Sequence, residues 1–187
     1  RTFPADRSAP GAFGSTVGLV SYGAIARRVR ERLRAHEVKV LLYDPLVSEA
    51  DAQRGGMRRA GLHELFATCD VVSVHAPLLP ETRGMIDGHH FLAMRPGALF
   101  INTSRGEIVN ERAMVDVLRR RPDLQALLDV TSPEPPEPDS LLYTLPNVIL
   151  TPHIAGSLGP ECARLGHAMA DELERYLAGQ PLPVSGT

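Results

Sequence analysis

The chain is short of cysteine. Only Cys69 and Cys162 occur in 187 residues, far apart and without a C-x-x-C spacing, which argues against a disulfide framework or a structural zinc site and fits a reducing, cytoplasmic setting. No apolar run approaches the roughly 20 residues that cross a bilayer, so no membrane span is expected. An excess of either charge is also lacking: 20 Lys and Arg against 22 Asp and Glu leave a formal net charge of -2 and no broad basic field for nucleic acid. The first residues, "RTFPADRSAPGAFGS", hold Pro and Arg but no apolar h-region, which argues against a conventional secretory signal. The start at Arg1, without an initiator methionine, suggests an excerpt or a processed product. Internal repeats are absent, and "SPEPPEPDS", Ser132 to Ser140, is the one biased segment, expected to be an extended, stiff loop.

What the chain does have is 43% hydrophobic residues, enough for a substantial core, arranged in short runs. "TVGLV", "VKVLLY", "VVSVH", "ALFIN", "LQALLDV" and "NVIL" alternate with helix-like stretches. Aliphatic and β-branched runs of this length are what strands buried on both faces look like, and their alternation with helices implies parallel pairing in an α/β doubly wound sheet. Between the first two runs, Ile25, Val29 and Leu33 recur every four residues as a packing stripe, with arginines on the remaining surface. Leu62, Leu65 and Phe66 mark a short helix. Asp87 is placed to cap a "GHHFLAM" helix ending near Pro96-Gly97, and Asn110 to cap one that buries Met114, Val117 and Leu118. The last helix starts near Pro160 and stops at Gly179; its expected buried stripe is Leu165, Met169, Leu173, Tyr176 and Leu177.

A dinucleotide fingerprint needs a strand, a glycine turn that admits the pyrophosphate, and a helix whose N-terminal N–H groups face it. Here the pattern is Ser21-x-Gly23-x-x-Ala26: Gly23 stands where a side chain would most obstruct a phosphate, and Ala26 permits close helix-to-strand packing. Ser21 replaces the usual first glycine, so the turn is expected to adopt a conformation that serine tolerates. Candidate contacts are Ser21, Tyr22, Gly23, Ala24 and Ile25. Asp44 ends the second run, 21 residues after Gly23, where a carboxylate accepts ribose hydroxyls and repels a 2′-phosphate, favouring NAD over NADP. The plainer alternative is a strand-to-helix turn followed by an Asp-Pro turn.

Ligands of such a sheet bind at the carboxyl ends of its strands, which singles out "HAPLLPETRGMID", "MRPGALFINTSRGEIVNE", "LLDV..PEP" and "LPNVILTPHIAGS". In this order these segments closely resemble the NAD-binding domain of the D-isomer-specific 2-hydroxyacid dehydrogenases, from Thr16 to about Gly179. The resemblance implies a Rossmann-like domain over residues 16–155, with residues 1–15 as a tail or linker and 156–187 as a C-terminal helix that would pack on a substrate lobe. It implies Arg105 as the substrate-binding arginine, Glu134 as the acidic partner and His153 as the catalytic acid/base. His75, Ala76, Pro77, Thr82, Thr103, Ser104, Asp129 and Gly156 would line the cofactor, Asp129 at the nicotinamide carboxamide.

These residue types suit the chemistry. Reduction of a 2-keto acid needs a hydride donor, a cation for the carboxylate and an acid available near neutral pH for the oxygen. Arg105 offers a planar fork of donors matched to a carboxylate, His153 the proton, and Glu134 a carboxylate to stabilise the imidazolium; the nicotinamide carries the hydride, so no metal is required. Each has a plainer alternative: an exposed ion pair for Arg105, a solvated loop carboxylate for Glu134, a loop-packing ring for His153. His89 and His90 are expected to point to different sides of their helix, and both cysteines to be small buried side chains.

The sequence departs from the family at Ser21, at Glu107 and Asn110, at Thr131, where an aromatic residue is usual, and at Ser132, where an acid is common. Only a short tail precedes the first strand, where family members carry a substrate lobe of roughly a hundred residues, so that lobe reads as missing and the active site as incomplete in this chain. The leading expectation is an NAD-dependent D-2-hydroxyacid dehydrogenase acting on a small 2-hydroxy/2-keto acid, cytoplasmic and homodimeric through an exposed arm around Arg105 to Leu118. The alternatives are a non-catalytic NAD-binding module acting through oligomerisation or partner binding, and a structural domain with a vestigial cleft. Formate dehydrogenases rank lower, because they carry an amide where Glu134 stands.

Overall fold

The six apolar runs become parallel strands in the computed structural model, which describes residues 11–182. They are β1 (Thr16–Val20), β2 (Lys39–Tyr43), β4 (Val71–Val74), β5 (Leu99–Asn102), β6 (Gln125–Leu128) and β7 (Val148–Leu150). A seventh strand, β3 (Arg58–Arg59), carries no apolar residue and left no period to read. All neighbours pair parallel in the order β3-β2-β1-β4-β5-β6-β7. The chain reverses direction of winding between β1 and β4, so their carboxyl ends open a crevice there.

The helices are α1 (Ala24–Leu33), α2 (Glu49–Arg54), α3 (Leu62–Thr68), α4 (Gly88–Ala93), α5 (Glu111–Arg120) and α6 (Pro160–Leu177). Successive β1 side chains serve two cores. Val17 and Leu19 join Val40, Leu42, Ala52 and Met57 with Val29 and Leu33 of α1, while Val20 joins Leu65, Phe66, Val72, Phe91 and Phe100. Gly18 lies on the second face because α3 leaves no room for more: a Cβ there would come within 2.4 Å of Leu65 Cδ2. Phe91 meets Phe66 and Phe100 edge-on, with centroids 5.7 and 4.9 Å apart. Burying each such ring stabilises the fold by about 1.5–3 kcal/mol.

Caps form where the residue types allow. Asp87 and His90 make a reciprocal capping box at α4, and the Asn110 side chain accepts the Ala113 N–H at α5, whose Met114, Val117 and Leu118 are buried. Helix α4 ends at Ala93, before Pro96-Gly97.

Several expectations change. Ile25 is 68% exposed and Ala26 is fully buried, so the α1 packing row is Ala26, Val29 and Leu33. These sit at i, i+3 and i+7, and Ile25 lies one residue out of phase. His89 and His90 do not diverge: their ring centroids are 3.9 Å apart, with His63 of α3 close by. Adjacent helical side chains both lean toward the N-terminus, which brings the rings together. Among the described residues no group of three His, Cys, Asp or Glu has a geometry that could hold a metal. The stretch from Arg105 to Leu118 is not an exposed arm, because Gly106, Ile108, Val109, Met114, Val117 and Leu118 are buried in its own unit.

Contacts divide the chain into two units, one ending at Pro152 and the other beginning at His153. The second unit holds α6, none of whose residues is buried; Leu165, Met169, Leu173, Tyr176 and Leu177 are 55%, 65%, 58%, 69% and 76% exposed, contrary to expectation. A lone helix cannot bury its own apolar stripe, and among the described residues of this unit there is no second helix to cover it. Cys162 is therefore exposed too, whereas Cys69 is buried and its thiol is pushed up to about 11 by desolvation. No helix among the described residues is long and apolar enough to cross a membrane. Residues 1–10 of the expected tail lie outside the described residues.

Candidate active site

The turn after β1 does not relax to suit serine. Ser21 takes φ 73°, the left-handed region, at a cost of order 1–2 kcal/mol. Its N–H donates to the Tyr43 carbonyl at 2.7 Å, and its hydroxyl donates to Asp44 Oδ2 at 3.3 Å. Asp44, buried at the end of β2, also accepts the Tyr22 N–H on Oδ2 and the Leu46 N–H on Oδ1, both at 2.8 Å. The carboxylate thus builds the turn it borders, and most of its acceptor capacity is already engaged. The Tyr22 ring packs with the α1-side core, and the Arg27 guanidinium lies 5.5 Å over it.

This turn fits a dinucleotide. Gly23 is the N-cap of α1, no side chain caps that helix, and a Cβ at Gly23 would meet nothing within 4 Å. The first N–H groups of α1, at Ala24 and Ile25, therefore face an approachable space that suits a pyrophosphate. Beside it lies a cleft lined by Val20, Ser21, Tyr43, Asp44, Pro45, Leu46, Ala76, Pro77, Leu79, Glu81, Thr82 and Met85. It is mainly apolar with a carboxylate at its edge, the chemistry of an adenosine slot.

Across the crevice, the β4 exit is braced. The Thr82 hydroxyl donates to the Pro77 carbonyl at 2.6 Å and accepts the Leu79 N–H at 2.8 Å, and the Ser104 hydroxyl donates to the Ala76 carbonyl. His75 stands 3.1 Å from the Ser73 hydroxyl through Nε2, and burial holds its ring below the usual histidine range.

Arg105 and Glu134 follow β5 and β6. Buried Asn102 donates from Nδ2 to the Arg105 carbonyl and accepts the Ser104 N–H, both at 3.0 Å, fixing the turn on which Thr103, Ser104 and exposed Arg105 sit. After β6 come buried Asp129, which accepts the Thr151 hydroxyl, and Thr131, whose hydroxyl donates to the Pro133 carbonyl at 2.8 Å. The two segments touch through backbone: a Cβ on Gly106 would come within 2.0 Å of the Thr131 carbonyl oxygen. Sequence reasoning passed over Asn102, Gly106 and Glu111, because an Asn in a strand, a Gly in a loop and an acid in a first helical turn are all commonplace. His153 opens the second unit with φ 52°, and Gly156 follows three residues later.

A parallel sheet with an uncapped helix behind a glycine turn, a buried carboxylate after the second strand and an apolar slot between them defines a Rossmann-type dinucleotide-binding domain. Comparison with known proteins narrows this. Residues 3–155 match the family described as D-isomer specific 2-hydroxyacid dehydrogenase, NAD binding domain, and the chain belongs to that family of oxidoreductases. It is 41% identical over 165 residues to an (S)-sulfolactate dehydrogenase of Chromohalobacter salexigens, covering 88% of this chain and 53% of that one. It is 38% identical over 171 residues to a D-3-phosphoglycerate dehydrogenase of Mycobacterium tuberculosis, covering 91% and 32%. Among solved structures, the apo D-mandelate dehydrogenase of Rhodotorula graminis superimposes with a TM-score of 0.84 at 30% identity, covering 97% of this chain and 54% of that one. The NAD-complexed D-isomer specific 2-hydroxyacid dehydrogenase of Lactobacillus delbrueckii gives 0.82 at 26%, covering 97% and 59%. The chain thus spans from about a third to somewhat over half the length of these relatives, and its cofactor is NAD.

Proposed function

We propose that the chain is the cofactor-holding part of a dehydrogenase that interconverts a D-2-hydroxy acid and its 2-keto acid. The observation that carries this reading is the junction of the Arg105 turn and the Glu134 loop, backbone against backbone, beyond adjacent parallel strands. Ser21 to Ile25, Asp44, His75 to Pro77, Thr82, Thr103, Ser104, Asp129 and Gly156 hold NAD, which supplies or accepts the hydride when bound. Arg105 grips the substrate carboxylate with its planar fork and polarises the keto oxygen. His153 gives a ring proton to that oxygen during reduction and takes it back during oxidation, with Glu134 stabilising the protonated ring. The reading includes a cytoplasmic homodimer whose seam is not an exposed arm at Arg105 to Leu118, and sedimentation of monomers alone at high concentration would contradict it.

The test is calorimetric titration of the chain with NADH and NADPH, followed by 2-keto acid reduction, read from NADH absorbance, by the chain joined to a substrate-binding part. The expected result is NADH binding in preference to NADPH, weakened at least tenfold in Asp44→Ala, and turnover abolished in His153→Ala. NADH binding without turnover on any 2-keto acid, with a substrate-binding part joined to the chain, would instead make it a binding module that acts through oligomerisation or a partner. No binding of either nucleotide would leave only a structural domain.

A further inference from the structure

We propose that Glu111 is a positioning residue of the candidate active site, the carboxylate that pins the Glu134 loop onto the Arg105 turn. An acid at the first position of a helix ordinarily stands in water and serves the helix dipole. Glu111 instead sits half-buried, and its Oε2 accepts the Ser132 N–H at 2.7 Å, 21 residues along the chain. Desolvation pushes its carboxyl above the usual range, while the Ser132 bond draws it back. A carboxylate drawn out of water in this way needs such a partner to remain charged.

Both ends of this link are fixed. On the helix side, Asn110 caps α5 through the Ala113 N–H at 3.2 Å, and the Asn110 N–H donates to the Ile86 carbonyl at 2.8 Å. Ile86 in turn bridges Val109 in parallel, which ties the start of α5 to the chain just after the Thr82 turn. On the loop side, Ser132 lies between Thr131, whose carbonyl abuts Gly106, and Glu134, whose Oε2 faces the Thr131 N–H at 3.5 Å. The Gly106 contact sets how closely the two segments approach. The Glu111 bond sets the direction in which the second segment leaves that contact, and hence where Glu134 is presented.

The proposal rests on the dehydrogenase reading, and two readouts separate its failure from the failure of that reading. The first, in the full chain, is amide hydrogen exchange at Ser132. Glu111→Ala is expected to lower its protection at least tenfold, and Glu111→Gln, which keeps an acceptor oxygen, to retain it within threefold. The second is steady-state reduction of a 2-keto acid by NADH in the protein that includes its substrate-binding part. In Glu111→Ala, kcat is expected to fall at least tenfold with NADH affinity unchanged within twofold, a split that general destabilisation would not produce, and Glu111→Gln is expected to recover most of kcat. Unchanged Ser132 protection in Glu111→Ala overturns the proposal whatever the activity. Lost protection with unchanged kcat overturns the positioning role and leaves the dehydrogenase reading intact. A wild-type protein that includes its substrate-binding part and binds NADH but reduces no 2-keto acid defeats that reading and the positioning role with it, whereas the exchange result still reports whether the anchor exists.

Discussion

Replacing Gly106 with alanine puts a methyl carbon 2.0 Å from the Thr131 carbonyl oxygen, 2.1 Å from its carbon and 2.8 Å from the Ser132 nitrogen. All three are backbone atoms, so no rotamer change relieves the clash. The segments must separate by at least an ångström before the contact reaches 3.0 Å. Val130 and Thr131 are almost fully buried, and moving them disturbs the exit of β6. Overpacking of this kind costs about 1–3 kcal/mol, and stretching the charge-assisted Ser132–Glu111 bond adds to it, so a loss of about 3 kcal/mol is expected. In a chain of this size that lowers Tm by roughly 6–12 °C. Two comparators calibrate the effect. Gly18→Ala meets the Leu65 side chain at 2.4 Å, which can turn away, and should cost about 1–2 kcal/mol. Gly166→Ala lies within α6 with nothing within 4 Å and should gain up to about 1 kcal/mol. Urea denaturation followed by circular dichroism gives all three. A Gly106→Ala protein within about 0.5 kcal/mol of wild type, or one more stable than Gly18→Ala, would refute the assignment of a rigid backbone junction.

Ser21→Gly relieves a left-handed serine but loses a long hydroxyl bond to Asp44 and gains unfolded-state entropy, so its net effect should be a gain of up to about 1 kcal/mol. NADH binding should tighten about twofold as Asp44 Oδ2 loses one of its two donors and keeps the Tyr22 N–H; a variant that loses more than about 1 kcal/mol would show that the hydroxyl bond dominates. Burial, reinforced by His89, holds the His90 ring below the usual histidine value, so the neutral ring belongs to the folded state. Its contribution is present above the unfolded value of about 6.5 and is lost as pH falls from there through the folded value. His90→Gln, which keeps an acceptor for the Asp87 N–H, should flatten that decline in denaturation curves between about pH 7 and 5, and an unchanged slope would count against it. A thiol reagent should label Cys162 alone in the folded protein and Cys69 only after unfolding; rapid labelling of both would contradict the burial of Cys69.

Much of the sheet could be read directly, because doubly buried parallel strands appear as unbroken apolar runs. The exception, β3, is made of two arginines on an edge and joins the sheet through backbone pairing, which no apolar side-chain pattern records. Helix caps at Asp87 and Asn110 were legible because capping is local chemistry. Helix faces were less so: Ile25 and Ala26 compete for one packing row, and the smaller residue occupies it where α1 approaches the sheet closely. The apolar stripe of α6 was plain in sequence, but periodicity says that a face seeks a partner without supplying one. At the candidate site, the strand-end positions of Arg105 and Glu134 could be inferred, whereas Glu111 could not, since its partner lies 21 residues away.

The sequence by itself determined the alternation of strands and helices, the glycine turn before α1 and the carboxylate at the end of β2. Each depends on residues close in the chain whose spacing matches a backbone period or a turn. Only the tertiary structure decided that Ser21 stays left-handed because Asp44 and Tyr43 hold its turn, and that Gly106 and Thr131 meet backbone to backbone. It also decided that Glu111 leaves water for the Ser132 amide. Those contacts join segments brought together by the register of the sheet and the packing of the helices, and neither is written in any one stretch of sequence.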